Sequence, residues 1–322
     1  MLRPRPLAPA LGRATLAVLQ PARPLLAQLV VTRRCNLSCG YCNEYDQVSN
    51  PVPTAELERR IDKLADLGTV VLTLTGGEPL LHPELDVLVR HAVSRGMVTT
   101  SITNGYPINR TWISKLNAAR LTLLQLSIDN LDSNEMSEKS WNRLQRHLGL
   151  LRDHARFKVT VNAVLGSCSA EETRQVVEGV AEMGFYMTVG LMHDGQGQIT
   201  QGLLDGDLEE FYDEMQSRRR RSLFHRAGEG WERDLIRDGS SPWKCRAGGR
   251  YLYVDEFGMV NYCSQRRGEP GIALADYTRD DLRREFYTIK GCEDRCTVAC
   301  VRRASAFDGM RGQSPVSVAP AP

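Results

Sequence analysis

The stretch AQLVVTRRCNLSCGYC, residues 27–42, joins a short strand to three cysteines. Ala27 to Thr32 is a mainly apolar, β-branched run with the length of a buried strand. Cys35, Cys39 and Cys42 follow at C-x3-C-x2-C spacing. Three thiolates on one short loop can wrap an iron–sulfur cube, and three ligands on four irons leave one iron open. An open iron can chelate a small molecule and pass it one electron. A structural zinc site usually closes with four protein ligands, and this loop has no fourth Cys or His.

Outward from this loop the chain settles into a rhythm. Thr54 reads as a helix N-cap, with Leu57, Ile61, Leu64 and Leu67 at helical spacing and Gly68 as the stop. TVVLTLT, residues 69–75, is a β-branched strand broken by Gly76 and Gly77. Helices are expected near residues 83–94, 111–119, 140–154 and 170–183, and strands near 98–102, 121–128, 157–165 and 185–191. Alternating β and α units imply a parallel sheet with right-handed crossovers. Six units suit a partial (β/α)6 barrel, although periodicity alone does not separate it from an open sheet. The expected fold is α/β, a partial barrel over residues 27–200 with a small cysteine-rich C-terminal domain.

After His193 the rhythm ends. Gly195, Gly197, Gly202 and Gly206 mark a loop region. Residues 201–242 read as a helical linker, with a charged helix from Asp207 to Arg221 ending in four arginines, Arg218 to Arg221. A basic run of this kind suits a solvated helix end. From Trp243 to Arg303 the segment reads as a separate cysteine-rich domain, and residues 304–322 as a disordered tail.

The composition narrows the class. The chain has 322 residues, a net charge of +2 and nine cysteines. A near-neutral balance gives no global argument for nucleic acid, and none is expected as a partner. The cysteines fall in tight clusters, which favours metal over a disulfide framework. No apolar run approaches the roughly 20 residues that span a bilayer. The first 43 residues carry six arginines and no acid; Glu44 is the first. Residues 1–26 are therefore expected to be a loose basic leader of a cytoplasmic protein. A transit peptide or peripheral contact with a membrane surface is the alternative.

The motifs together resemble the radical S-adenosylmethionine superfamily. The cysteine loop has an aromatic, Tyr41, before its third cysteine, and Gly76-Gly77-Glu78-Pro79 ends the second strand. The resemblance implies that Cys35, Cys39 and Cys42 hold a [4Fe–4S] cluster and that the GGEP segment holds the methionine amino group of S-adenosylmethionine. It further places Asn104 at the end of the third strand, and Ser127 and Asp129 at the end of the fourth. Asn162 on the fifth strand and Leu191 on the sixth complete the cofactor contacts that it implies. His193 and Asp194 follow the sixth strand on the presumed active face, as candidates to bind substrate or move a proton; ordinary loop-turn chemistry is the other reading.

A second group, Cys245, Cys263, Cys292, Cys296 and Cys300, surrounds a hairpin expected from Tyr251 to Val254 and Met259 to Tyr262. This group resembles SPASM and twitch appendages, with Gly258-x4-Cys263 matching their hairpin. Five thiols support one auxiliary [4Fe–4S] cluster with one to spare, and the sequence does not choose the spare. If helical, Cys292, Cys296 and Cys300 would share a face. Cys168 reads as a lone small core residue.

The resemblance implies reductive cleavage of S-adenosylmethionine to a 5′-deoxyadenosyl radical that takes hydrogen from a substrate. The electron would come from a flavodoxin- or ferredoxin-like donor. A small molecule or lipid is the expected substrate, with a ribosomally made peptide as the alternative. A non-catalytic iron–sulfur or zinc binding module is the reading of another class.

Overall fold

Strand β1 runs from Leu26 to Thr32 and is buried on both faces. Leu29 and Val31 enter the main core, whereas Val30 enters a second cluster with Tyr251, Tyr253 and Cys263. Burial on both faces explains why the strand reads as an apolar run rather than an alternation. A computed structural model describes residue 20 and residues 23–200, 209–214, 230–306 and 308.

Helix α1, Thr54–Asp66, lays Leu57, Ile61 and Leu64 on the sheet, each worth about 2 kcal/mol of burial. Its N-cap is Pro53, not Thr54; the Thr54 hydroxyl instead donates to Glu84 at 2.5 Å. There follow β2 (Val71–Gly76), α2 (Leu85–Ser94), β3 (Val98–Thr103), α3 (Arg110–Ala119), β4 (Leu123–Ser127), α4 (Trp141–His154), β5 (Lys158–Leu165), α5 (Ala170–Glu182) and β6 (Tyr186–Leu191). The six strands pair in parallel in chain order. This is the expected partial (β/α)6 barrel, and it collects the C-terminal ends of the strands at one rim, where barrels build sites.

The C-terminal part holds α6 (Trp231–Asp238), β7 (Tyr251–Val254), β8 (Met259–Asn261), β9 (Pro270–Ala273), α7 (Arg279–Tyr287) and α8 (Ala299–Ala306). It is not the separate domain expected from Trp243 onward. β7 pairs in parallel with β1, Leu26 opposite Tyr251 and Leu29 opposite Val254, so the sheet continues through nine strands. Without β7 the edge of β1 would expose a row of unpaired backbone groups. Cys292, Cys296 and Cys300 do not form one helix: a 3-10 turn, Glu293–Arg295, separates the first two, and only Cys300 lies in α8. Of the expected helix Asp207–Arg221, residues 209–214 are helical and Arg218 to Arg221 lie outside the described residues.

Both expected end segments are corrected by one buried ion pair. Asp308 lies 2.6 Å from Arg250 Nε, and both side chains are almost fully buried. Arg250 also donates to the carbonyl of Arg23, and its own carbonyl accepts from Leu25 N at 2.8 Å. The leader is therefore pinned to the barrel from Arg23 on, and α8 carries order to Ala306 and Asp308 rather than stopping at Arg303. Residues 1–19 of the leader lie outside the described residues. Removing one partner of a buried pair leaves an uncompensated charge. Asp308→Ala is expected to cost about 3–5 kcal/mol, read as a lowered midpoint in chemical denaturation. Among the described residues no helix is long and apolar enough to cross a membrane.

Candidate active site

The C-terminal rim of the barrel opens on a cavity of about 270 Å3, lined among others by Cys35, Cys39, Cys42, Gly76, Gly77 and Asn104. The cysteine loop is held by main-chain bonds: Cys35 N donates to Asp46 O (2.8 Å) and Gly40 N to Glu135 O (3.2 Å). Ser38 N and Oγ both donate to Glu138 Oε1. Several N–H groups already face sulfur. Leu37 N lies 3.4 Å from Cys35 Sγ, Glu138 N 3.4 Å from Cys39 Sγ, and Asn104 Nδ2 3.6 Å from Cys35 Sγ. Such donors favour thiolates, which are the form iron binds. Burial first, with Glu78 and Cys42 adding to it and the Leu37 and Asn104 donors opposing it, pushes the Cys35 thiol up to about 11, so ligation must supply the deprotonation. Among the described residues no three such side chains converge on a single metal-ion position.

Gly76 and Gly77 line the cavity, but their missing side chains face the chain itself. A Cβ on Gly76 would stand 2.0 Å from the Thr32 carbonyl oxygen, and one on Gly77 would stand 2.3 Å from that of Arg33. The glycines let the end of β2 lie against the root of the cysteine loop, with Gly77 N donating to Thr32 O and Glu78 N to Arg34 O. Pro79 is buried in the following 3-10 turn. Glu78 does not face the cavity. Its carboxylate is buried and accepts from Leu80 N (2.9 Å), the Thr103 hydroxyl (2.8 Å) and Asn104 N (2.7 Å), bracing β2 to β3 and aiming Asn104.

Burial pushes the Glu78 carboxyl up to about 7, and the three donors oppose the rise. The folded chain therefore holds this proton more tightly than the unfolded one. The stability it gives is complete below about pH 4.5 and is lost as pH rises through about 7. Relative to Glu78→Gln, which has no such proton, the native Tm is expected to fall between about pH 5 and 7, as scanning calorimetry would read.

Asp129 is likewise a brace. It is buried and accepts from Tyr41 OH (2.9 Å), Ser137 Oγ (2.6 Å) and Val164 N (3.1 Å), and pairs with Lys139 at 3.2 Å. Tyr41 and Lys139, hydrogen-bonded to each other, line the cavity instead, as does Ser127. Asn162 is turned to the Thr188 hydroxyl at 2.8 Å, and Leu191 is packed in the core; neither lines the cavity. Asp194 Oδ1 accepts from Gln196 N and Gln198 N, the loop-turn chemistry weighed against catalysis. His193 meets Gln265, which also bonds Asn43 beside the cysteine loop.

Among the cavity residues that the sequence reading missed are Lys139, Glu44 and Gln28. Among the described residues, Lys139 is the one cation that lines the cavity. Glu44 is half-buried against the Tyr253 hydroxyl, near Arg267, and desolvation raises its carboxyl. Gln28 projects from β1 and accepts from Tyr251 OH at 2.7 Å. Only Glu44 left a signal, as the first acid of the chain, two residues past Cys42.

Of the five C-terminal thiols, Cys245 and Cys263 share an apolar cluster with Tyr251 and Tyr253 of β7, and Cys300 packs against it. Cys296 lies within electrostatic reach of Cys245, Cys263 and Cys292. Burial raises Cys245 and Cys263 to about 12. Cys168 is half-buried and hydrogen-bonded to Thr173, apart from both groups.

A strand-borne three-cysteine loop at the rim of a partial barrel, pressed by a double glycine, defines a cluster-bearing radical enzyme. The chain belongs to the radical SAM superfamily, whose model matches residues 29–191; its members use a [4Fe–4S] cluster and S-adenosylmethionine. A PqqA peptide cyclase of Granulibacter bethesdensis is 28% identical over 200 residues, covering 59% of this chain and 52% of that protein. An AdoMet-dependent heme synthase of Methanosarcina barkeri is 29% identical over 196 residues, covering 58% and 56%. The chain thus spans about half the length of these curated relatives. Streptococcus suis SuiB bound to precursor peptide SuiA matches in fold with TM-score 0.65 at 18% identity, covering 86% of this chain and 69% of that one. The anSMEcpe structure with bound AdoMet matches with TM-score 0.59 at 19% identity, covering 83% and 80%.

Proposed function

We propose that this chain cleaves S-adenosylmethionine reductively in the barrel cavity and uses the resulting radical to modify a ribosomally made peptide. The observation that carries the first half is the shared cavity of Cys35, Cys39, Cys42, Gly76 and Gly77. When bound, the cluster and S-adenosylmethionine supply one electron and a primary carbon radical. Cys35, Cys39 and Cys42 would hold the cluster through three thiolates, with no fourth protein ligand on their loop. The donors of Leu37, Glu138 and Asn104 stabilise the thiolates. Lys139 offers a charge-assisted bond to an anionic group such as a carboxylate. Tyr41 and Leu37 cover the loop side of the cavity, where they exclude water. Four of the five C-terminal thiols would hold a second [4Fe–4S] cluster. A flavodoxin- or ferredoxin-like carrier supplies the electron.

The peptide substrate is supported by the peptide cyclase relatives and replaces the small-molecule or lipid substrate that the sequence alone favoured. The heme synthase relative supports the small-molecule alternative over a similar share of the chain. One experiment separates them. Anaerobically reconstituted protein, S-adenosylmethionine and dithionite are mixed with synthetic peptides encoded by short reading frames beside the gene. A mass change in one peptide, coupled to 5′-deoxyadenosine release, supports the reading. No change in any peptide, with turnover on a porphyrin precursor, replaces it.

A further inference from the structure

Two neighbouring arginines on α8 part ways. The Arg303 side chain is half exposed, whereas Arg302 is 6% exposed. The Arg302 guanidinium lies over two indoles, 4.4 Å from the centre of the Trp231 ring and 4.9 Å from that of Trp243. Its Nη2 donates to the Ser241 carbonyl at 3.0 Å and to the Ser241 hydroxyl at 2.9 Å. Its Nη1 is buried and has no partner among the described residues. A charged donor left unpaired in the interior is costly, and folded proteins keep few of them.

This unpaired donor stands beside the C-terminal thiols. Trp243 packs against the apolar cluster that holds Cys245 and Cys263. The Trp243 indole N–H donates to the Glu293 carbonyl, and Ser241 N to the Asp294 carbonyl at 2.7 Å. Both carbonyls belong to the 3-10 turn between Cys292 and Cys296. Arg302 N donates to the Val298 carbonyl, and Val298 N faces Cys296 Sγ at 3.4 Å. Of the anionic groups in electrostatic reach of the guanidinium, Cys296 acts on it most strongly, ahead of Glu232, Asp234 and Asp294. Cys296 is in turn within reach of Cys245, Cys263 and Cys292. Soft thiols beside a buried cation with a spare N–H fit an anionic iron–sulfur group.

We propose that Arg302 Nη1 is held for the sulfur of the second cluster, as a positioning residue whose charge raises the reduction potential of that cluster. The inference rests on the reading that the C-terminal thiols bind a [4Fe–4S] cube. One electron from the low-potential carrier takes such a cube from its 2+ to its 1+ state, and the thiolate-bound group becomes one charge more negative. No proton or bond is exchanged. Burial of the thiols works against that extra charge. The guanidinium offsets it, because a cation and a donor to sulfur both favour the reduced state. Arg302 thereby keeps the second cluster within reach of the carrier.

The test uses the full chain with Cys35, Cys39 and Cys42 replaced by alanine, so that the second cluster is read alone. Its midpoint is followed by redox titration with electron paramagnetic resonance. Arg302→Met and Arg302→Gln, which remove the charge, are each expected to lower the reduced-to-oxidised ratio at a fixed potential about tenfold, a midpoint about 59 mV more negative. Arg302→Lys keeps the charge and is expected to shift the midpoint by less. All three are expected to hold about four iron atoms per chain. An unchanged midpoint in either neutral variant, an equal shift in Arg302→Lys, or loss of the cluster from both neutral variants overturns the proposal. A parent chain that binds no iron, or binds zinc instead, overturns the reading on which it rests.

Discussion

Replacing Cys35, Cys39 and Cys42 together by alanine is expected to abolish 5′-deoxyadenosine formation and to halve bound iron, from about eight to about four atoms per chain. The three thiols are the protein ligands proposed for the first cluster, so no partial site remains. The fold is expected to survive. The loop is pinned by Cys35 N to Asp46 O, Asp46 N to Arg33 O and Gly40 N to Glu135 O, all main-chain bonds that alanine keeps. The remaining iron would belong to the proposed second cluster, whose thiols stand on other elements. Iron analysis and chromatography of the nucleoside read both effects on one sample. Continued 5′-deoxyadenosine release by the triple variant overturns the site. Loss of all iron would mean that the second group does not assemble independently.

The parts of this site that were legible in sequence are those whose chemistry is local. Three cysteines in eight residues, or two glycines after a β-branched run, carry their spacing with them. The barrel was legible because each βα unit writes its own period. What was not legible depends on pairing across the chain. Lys139 reaches the cavity only because Asp129 and Tyr41 hold its ammonium there, 98 residues from Tyr41. β7 joins β1 across more than two hundred residues, and four-residue strands carry no signal of their partner. Asp308 follows a short helix in a tail of small and polar residues, and only the buried Arg250 makes it structural. The roles of Glu78 and Asp129 changed for a related reason. A carboxylate at a strand end suits a ligand or a brace equally well in sequence. Donors from neighbouring strands and loops, Thr103 and Asn104 for one and Tyr41, Ser137 and Val164 for the other, make each a brace in the folded chain.

Gly77→Val is expected to weaken S-adenosylmethionine binding roughly 10- to 100-fold, the equivalent of about 1–3 kcal/mol of strain and lost polar contact. It is also expected to lose much of the first cluster. The loss of iron follows from where the missing side chain would point, which is at the chain itself and not at the ligand. A Cβ at residue 77 would meet the Arg33 carbonyl oxygen at 2.3 Å and that of Arg34 at 2.5 Å. Both are main-chain atoms, so no flexible side chain can yield. The segment must move, and with it the bonds from Gly77 N to Thr32 O and Glu78 N to Arg34 O. Residues 32–34 lead directly into Cys35, so the displacement is passed to the first ligand. Because the clash begins at Cβ, Gly77→Ala is expected to act in the same direction. Gly149→Ala in α4 is the control: nothing lies within 4 Å of its added methyl, and alanine suits a helix better. Iron content and equilibrium S-adenosylmethionine binding, measured on all three variants, decide it. If Gly77→Val kept full iron and lost only affinity, the loop would be anchored elsewhere, and the double glycine would serve the ligand alone.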